Sequence, residues 1–258
     1  HSAFAVGATI DLAASHGLRW VTLGGGSRLI ASDRGIRVPM VSLTGTLARW
    51  EVEVDGIVVG AGANLAQVCR VARRSGLVGL ETLGSHEHSI GGLVRAGADG
   101  VVDLGGVIEW VDLQRPGSRS ERWVATEAHP APTVADLRRK VITRVRFRLR
   151  PSRLREVKPW SSNRRPSRAL RSTGPVFLDS RDASAADLLA EAGCSNSAVG
   201  GVRLSGTRIN ELIAGRSATA TDVLDLCRRS RDRVFASTGV ELVAALTFVD
   251  EDGREISL

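Results

Sequence analysis

The sequence predicts an α+β fold in two domains. Three observations predict it. Strands followed by glycine turns, one of them leading into a capped helix, fill the early chain. A run of short strands continues to residue 150. Capped amphipathic helices return beyond a stretch rich in proline and serine.

Taken in order, Trp20-Val21-Thr22-Leu23 reads as a strand and Gly24-Gly25-Gly26-Ser27 as its turn, with a further apolar segment from Leu29 and Ile30. "IVVGAGANLAQVCRVARRSGL" reads as strand, turn, helix. Asn64 is its N-cap, Gln67 lies three residues on in capping-box position, Leu65, Val68, Cys69 and Ala72 share one face, and Gly76 ends it. Between 97 and 150 the pattern is short strands, one holding Val107, Trp110 and Val111 and another spanning 141–149. Residues 151–170 hold three prolines and many serines and read as a linker. Ser184 then caps a helix with Asp187 at its third position, Leu188, Leu189 and Ala192 on its apolar side, and Gly193 at its stop. Thr219 and Asp222 stand in cap spacing before Val223, Leu226, Cys227 and Val234. The tail reads as a strand, a turn at Asp252-Gly253, and a short strand.

The 258 residues suffice for one large or two smaller cores, and 43% hydrophobic with 24% charged residues is ordinary for a globular protein. No apolar run approaches the ~20 residues of a membrane helix. The N-terminus lacks a basic region followed by a long apolar stretch, so a cytoplasmic protein is expected, without a membrane partner. Cys69, Cys194 and Cys227 have no metal-binding spacing and read as small buried residues. The formal charge is +7, and residues 138–171 hold fourteen Arg or Lys against one acid, Glu156. Arg144, Arg146, Arg148 and Arg150 alternate with Val145, Phe147 and Leu149, the pattern of a half-buried strand with a basic outer face. A solvated face is the favoured reading and a small-anion site the second. Nucleic acid is disfavoured, because the stacking aromatics of single-strand binders are nearly absent.

Glycines after strands let backbone N–H groups approach an anion closely, since no Cβ intervenes. Four loops do this: 24–27, 60–63, 91–92 and 97–100. No GxGxxG stands at a strand-to-helix turn and no GxxxxGK[ST] occurs, which disfavours Rossmann and P-loop nucleotide sites.

The order of these loops resembles the UDP-N-acetylenolpyruvoylglucosamine reductase (UDP-N-acetylmuramate dehydrogenase) family, flavoenzymes of peptidoglycan precursor synthesis. The family's GGGSNLL is similar to Gly24-Gly25-Gly26-Ser27-Arg28-Leu29-Ile30, its AGA segment to Val58–Ala63, its GLxxLxGIPGTVGG to "GLETLGSHEHSIGG" at 79–92, and its NAGAxG to "RAGADG" at 95–100. The C-terminal order of "AGCSNSAVGG", a serine, an Asn-containing loop and "ATATDV" also follows the family. The resemblance implies an FAD-binding domain of the vanillyl-alcohol-oxidase type at 1–150, joined again by strands from 239–258. It implies a linker at 151–170 and a smaller α/β substrate domain at 171–238. It implies FAD held by Gly24, Gly25, Gly26, Ser27 and Arg28, with Gly62, Gly91, Gly92 and Gly97 permitting close approach, and a small-molecule substrate, anionic or nucleotide-linked.

The departures are specific. The family's proton-donating serine falls on Pro175 in "RSTGPVFLDS", its lysine on Leu178 and its asparagine on Asp179. Its late glutamate falls on Ala245, and its tyrosine–arginine pair is incomplete because the chain has no tyrosine. Reduction of an enolpyruvyl group needs a hydride and a proton. A divergent FAD-dependent oxidoreductase with another substrate is therefore expected, in specialised metabolism. The alternative is a flavin-free catalyst or binding protein on the same fold.

The family's IPG falls on His86-Glu87-His88. Three readings stand: a relic or structural loop, an acid–base site, and a metal site. The third is weakest, because two histidines and one glutamate need a further ligand such as His129 or Asp99. His86, Glu87 and His88 are the candidate catalytic residues, and no metal is expected.

Overall fold

The computed structural model describes residues 2–80, 83, 88–117, 120–152, 171–180, 183–256 and 258. Chain order begins α1 (Ala3–Ser15), β1 (Val21–Leu23), β2 (Leu29–Ala31), β3 (Met40–Ser42), β4 (Trp50–Glu53), β5 (Gly56–Gly60), α2 (Leu65–Arg74), β6 (Leu77–Val78) and α3 (Ile90–Ala98). It continues β7 (Ile108–Gln114), β8 (Glu121–Val124), α4 (Val134–Leu137), β9 (Val141–Arg148), β10 (Arg150–Pro151), β11 (Arg171–Pro175) and α5 (Ala185–Glu191). It ends β12 (Ala198–Val199), β13 (Val202–Leu204), β14 (Glu211–Ala214), α6 (Ala220–Thr238), β15 (Thr247–Val249) and β16 (Glu255–Ile256). Two compact units result, one of residues 1–26 and 39–162 and the other of residues 27–38 and 163–258.

The first unit is built on an antiparallel sheet of order β4-β5-β9-β7-β8, with a separate parallel pair β1-β3. Val59, Val145 and Val111 lie in one register row and are fully buried. Helices α2 and α3 cover that side with Leu65, Val68, Ile90, Leu93 and Val94. Helix α2 starts where the sequence indicates: Asn64 Oδ1 accepts from Gln67 N at 3.2 Å, and Gly76 beyond its end is left-handed at φ 71.

The outer side of the sheet explains the arginine strand. Arg146 binds Glu53 and Asp55 at 2.8 Å each, and also Glu109, which Arg148 joins at 3.3 Å. Arg122 binds Asp112 at 2.7 Å and lies 3.7 Å over the Trp110 ring. Acids on neighbouring strands thus offset much of the basic charge. Expected as linker from residue 151, the chain still pairs at Arg150–Pro151 with Leu77–Val78, and residues 153–170 lie outside the described set.

The second unit has an antiparallel sheet β11-β14-β13-β12 and a three-stranded sheet β16-β15-β2, in which β15 runs parallel to β2. Its core holds Val176, Phe177, Leu189, Leu204, Leu212, Leu226, Val234 and Phe248. Residues 239–258 fall in this unit together with residues 27–38, and β15 takes β2 of that segment as its parallel partner. Cys194 and Cys227 are buried and Cys69 half-buried; burial pushes the Cys227 thiol up to about 12, which makes it unreactive. No helix among the described residues is long and apolar enough to cross a membrane.

Helix α6 begins with a reciprocal capping box, Thr219 with Asp222. Asp33, from the 27–38 segment, adds a second carboxylate there. It accepts from Ala220 N at 2.6 Å, Thr221 N at 3.0 Å and Thr221 Oγ1 at 2.7 Å. The Thr221 hydroxyl first, then the two backbone N–H groups, hold the Asp33 carboxyl below its ordinary pKa. A depressed carboxyl stabilises the fold above its unfolded pKa of ~3.9 and loses that contribution as pH falls through the folded value. Asp33→Asn is expected to cost about 0.3–1 kcal/mol at neutral pH, small because the site is exposed and screened. The mutant's deficit should shrink below pH ~4, read from urea melts across pH. An unchanged deficit at low pH would show that charge is not what Asp33 contributes.

Candidate functional site

Three of the four glycine loops meet in the first unit. The segment 88–91 runs antiparallel along 61–65: Leu65 N donates to His88 O at 2.9 Å, Ile90 N to Ala63 O at 2.9 Å and Gly91 N to Ala61 O at 2.7 Å. Ser89 pairs with Asn64 and caps α3, accepting from Gly92 N at 3.1 Å. The loop after β1 packs on this helix start. A methyl on Gly24 would overlap Ser89 Oγ and lie 3.7 Å from Gly92 Cα.

The glycines divide by what approaches them. At Gly62 it is the carbonyl of Leu43, at Gly91 Ala61, and at Gly97 the side chain of Leu104. These three are explained by the protein's own packing, and Gly97 stands near the far end of α3 from the other loops. Gly24, Gly25 and Gly26 are exposed, and Gly26 is left-handed at φ 70 with only Leu23 Cδ1 near, at 3.9 Å. Gly92 is crowded only by Ser89 Oγ at 3.2 Å. An exposed glycine turn against the N-terminus of a nine-residue helix suits a diphosphate: the turn offers close approach to its backbone and α3, whose first three N–H groups are bonded within the protein, offers the positive end of its dipole. The residues present therefore fit the pyrophosphate of FAD.

Ser27 and Arg28, expected in the same cradle, belong to the second unit. Arg28 Nε donates to Ala245 O at 2.6 Å, a second guanidinium nitrogen shares that oxygen, and Arg28 O accepts from Thr247 N at 2.9 Å. The guanidinium thus has a protein partner.

Of the polar loop that falls on the family's IPG, His86 and Glu87 lie outside the described residues. His88 is described and is only 6% exposed, so its imidazole is inside the protein and not on a solvated surface. Among the described residues no group of three His, Cys, Asp or Glu is placed to hold a metal.

In the second unit, the segment that follows position 175 is brought against residues 243–245. Ala245 N donates to Val176 O at 2.7 Å, Leu178 N to Val243 O at 2.8 Å, and Phe177 pairs with Ala244. Asn210 fixes the same segment from the other side. Its Oδ1 accepts from Phe177 N at 2.9 Å and its Nδ2 donates to Phe177 O at 2.8 Å, as a neighbouring strand would. Asp179 Oδ1 accepts from Ala185 N at 2.8 Å, at the start of α5, which gives it a structural role. Sequence reasoning missed Asn210 and Asp33. Each acts on a segment remote in the chain, and no local spacing marks them.

Known proteins are similar along nearly the whole chain. An FAD-binding domain model matches residues 1–111, and a model of the UDP-N-acetylenolpyruvoylglucosamine reductase C-terminal domain matches residues 165–249. The UDP-N-acetylenolpyruvoylglucosamine reductase of Heliobacterium modesticaldum is 31% identical over 251 residues, covering 93% of this chain and 80% of the relative. That of Acidiphilium cryptum is 33% identical over 231 residues, covering 86% and 74%. Among solved structures, the reductase from Thermus caldophilus superposes with a TM-score of 0.71 at 25% identity, covering 92% of this chain and 88% of that one.

Proposed function

The chain belongs to the UDP-N-acetylenolpyruvoylglucosamine reductase family, and from that premise we propose that it is an FAD-dependent oxidoreductase whose substrate is not the enolpyruvyl nucleotide sugar. One observation carries the reading. Position 245 is bonded to the residue after position 175, Ala245 N donating to Val176 O at 2.7 Å, and the two positions hold alanine and proline. Neither side chain has a proton to give, so both positions that resemble the family's proton-handling residues are aprotic.

Bound FAD supplies hydride transfer. The chain's own residues have separate tasks in this reading. Backbone N–H groups of Gly24, Gly25 and Gly26 hold the pyrophosphate, with the start of α3 adding its dipole. Gly92 leaves room beside them, while Gly62, Gly91 and Gly97 keep the surrounding segments tightly packed. In the second unit Asn210 holds the Val176–Phe177 segment, with Val176 and Ala245 packed inside. His86, Glu87 and His88 are the acid–base candidates of the first unit, since imidazole is suited to proton transfer near neutral pH.

A second reading, catalysis or binding without flavin, is favoured by one observation: an imidazole, His88, is buried where the family carries a glycine. Spectra separate the two. The purified protein, or protein titrated with FAD, is expected to take up one equivalent and show the visible flavin bands. A colourless protein that binds no added FAD would remove the flavin reading and leave the flavin-free one.

A further inference from the structure

Helix α1 is apolar on every side. Its thirteen residues include one charged side chain, Asp11, and no Lys or Arg. One side is packed within the first unit. Val6, Ile10 and Ala13 are buried there, and a methyl on Gly7 would meet the Gln114 side chain of β7 at 2.9 Å. At about 100° per residue, Phe4, Ala8 and Leu12 fall on the opposite side. All three are exposed, Phe4 at 86% and Leu12 at 63%. Apolar residues exposed singly need no explanation, but three in one helical row form a continuous patch. A helix apolar all round belongs in an interior, and this chain covers only one side of it.

The row itself points to what covers the other side. Asp11 Oδ1 accepts from Gly117 N at 2.6 Å, so the helix's one carboxylate already bonds within the chain. Nothing on the row selects a charged partner. Helices that lie on membrane surfaces are rich in Lys or Arg on their polar face, and α1 has neither. The order large, small, large is symmetric about Ala8. Two copies laid antiparallel across a two-fold axis at Ala8 put Phe4 of each against Leu12 of the other. The two Ala8 methyls then meet at the crossing, where small side chains allow close approach. In that register Asp11 stands opposite Ala5 of the other copy, so the two carboxylates do not oppose each other. A covered aromatic side chain buries about 150–250 Å², and Leu12 and Ala8 add less, so two rows together cover roughly 600 Å². That is below the ~1,200 Å² of a standard interface and is the size of a weak, reversible contact.

We propose that the Phe4–Ala8–Leu12 face of α1 is a self-association surface whose partner is the same face of a second copy, in antiparallel register. It stands on α1 alone and does not depend on the cofactor or substrate reading.

Sedimentation velocity on the full chain with FAD added is expected to show a reversible monomer–dimer equilibrium between about 1 and 200 μM, the range of a small interface. Leu12→Glu and Phe4→Lys should each weaken it at least about tenfold, the scale of losing one large apolar side chain from the contact. Both positions are exposed in the monomer, so melting temperatures should stay near that of the wild type. The double variant should associate more tightly than either single one, because the new cation of one copy meets the new anion of the other. A parallel pair would set like charges together instead. Ala8→Arg, which props the crossing apart, is a third disrupting variant if one of the others folds poorly. A wild type that stays monomeric throughout would overturn the proposal. So would association that survives Leu12→Glu, or a double variant no tighter than the single ones. Flotation with phosphatidylcholine–phosphatidylglycerol vesicles, lost in Leu12→Glu and seen without any dimer in solution, would assign the face to a lipid surface and overturn it as well.

Discussion

Supplied with FAD, NADPH and the enolpyruvyl nucleotide sugar, the protein is expected to oxidise NADPH about 10²–10⁴-fold more slowly than a reductase with serine and glutamate at the positions of Pro175 and Ala245. That range is the usual cost of losing one general acid, and here both positions are altered. Hydride delivery to an enolpyruvyl carbon leaves a carbanion that must be protonated. Ala245 bonds to Val176, the residue after Pro175, so both positions lie in one part of the second unit and neither side chain supplies a proton. Binding can persist while chemistry fails, so the loss should fall on kcat more than on KM. Pro175→Ser alone should recover little. Ala245 is fully buried and its carbonyl is already bound by Arg28, so Ala245→Glu would place a charge in a packed site and destabilise the unit. Wild-type turnover at an ordinary reductase rate would refute the proposed change of substrate.

Replacing Gly62 by alanine is expected to destabilise the protein by about 3 kcal/mol, at the upper end of the usual overpacking cost. The added methyl would overlap the carbonyl oxygen of Leu43, a backbone atom of a buried residue that cannot rotate aside. Gly26→Ala should behave differently. Its surroundings are open, with Leu23 Cδ1 at 3.9 Å, so its fold cost is the left-handed strain of about 1–2 kcal/mol. Its larger effect should be on FAD affinity, because a methyl blocks close approach of the pyrophosphate. Denaturant melts and FAD titrations on both variants check this. If Gly26→Ala binds FAD normally while remaining folded, the exposed turn is not the cradle. If Gly62→Ala melts like wild type, the close approach of Leu43 is relieved more easily than the geometry implies.

Much of the architecture was legible because its causes are local. Asn64 caps α2 through the N–H three residues on, Thr219 and Asp222 cap each other over the same spacing, and Gly76 and Gly193 follow helix ends in left-handed geometry. Each needs only a few consecutive residues. The same holds for the arginine strand, whose alternation marks β9 without knowledge of its neighbours. The resemblance carried further, to the FAD-binding and C-terminal domains, because loop order survives substitution of individual residues.

What the sequence by itself determined, then, is the elements, their caps, the family, and the proline and alanine that stand at 175 and 245. Only the tertiary structure decided which glycines are left open to a ligand. Gly62 and Gly26 look alike in sequence, and the difference is the carbonyl of Leu43, which arrives from outside the local stretch. It also decided that β15 pairs with β2, that Asp33 reaches the start of α6, that His88 is buried, and that Glu211 faces Pro175. The physical reason is common to all four. Burial and cross-strand register depend on which distant segments come together, and hydrophobic attraction is non-directional, so the pattern marks a buried face without saying what will cover it.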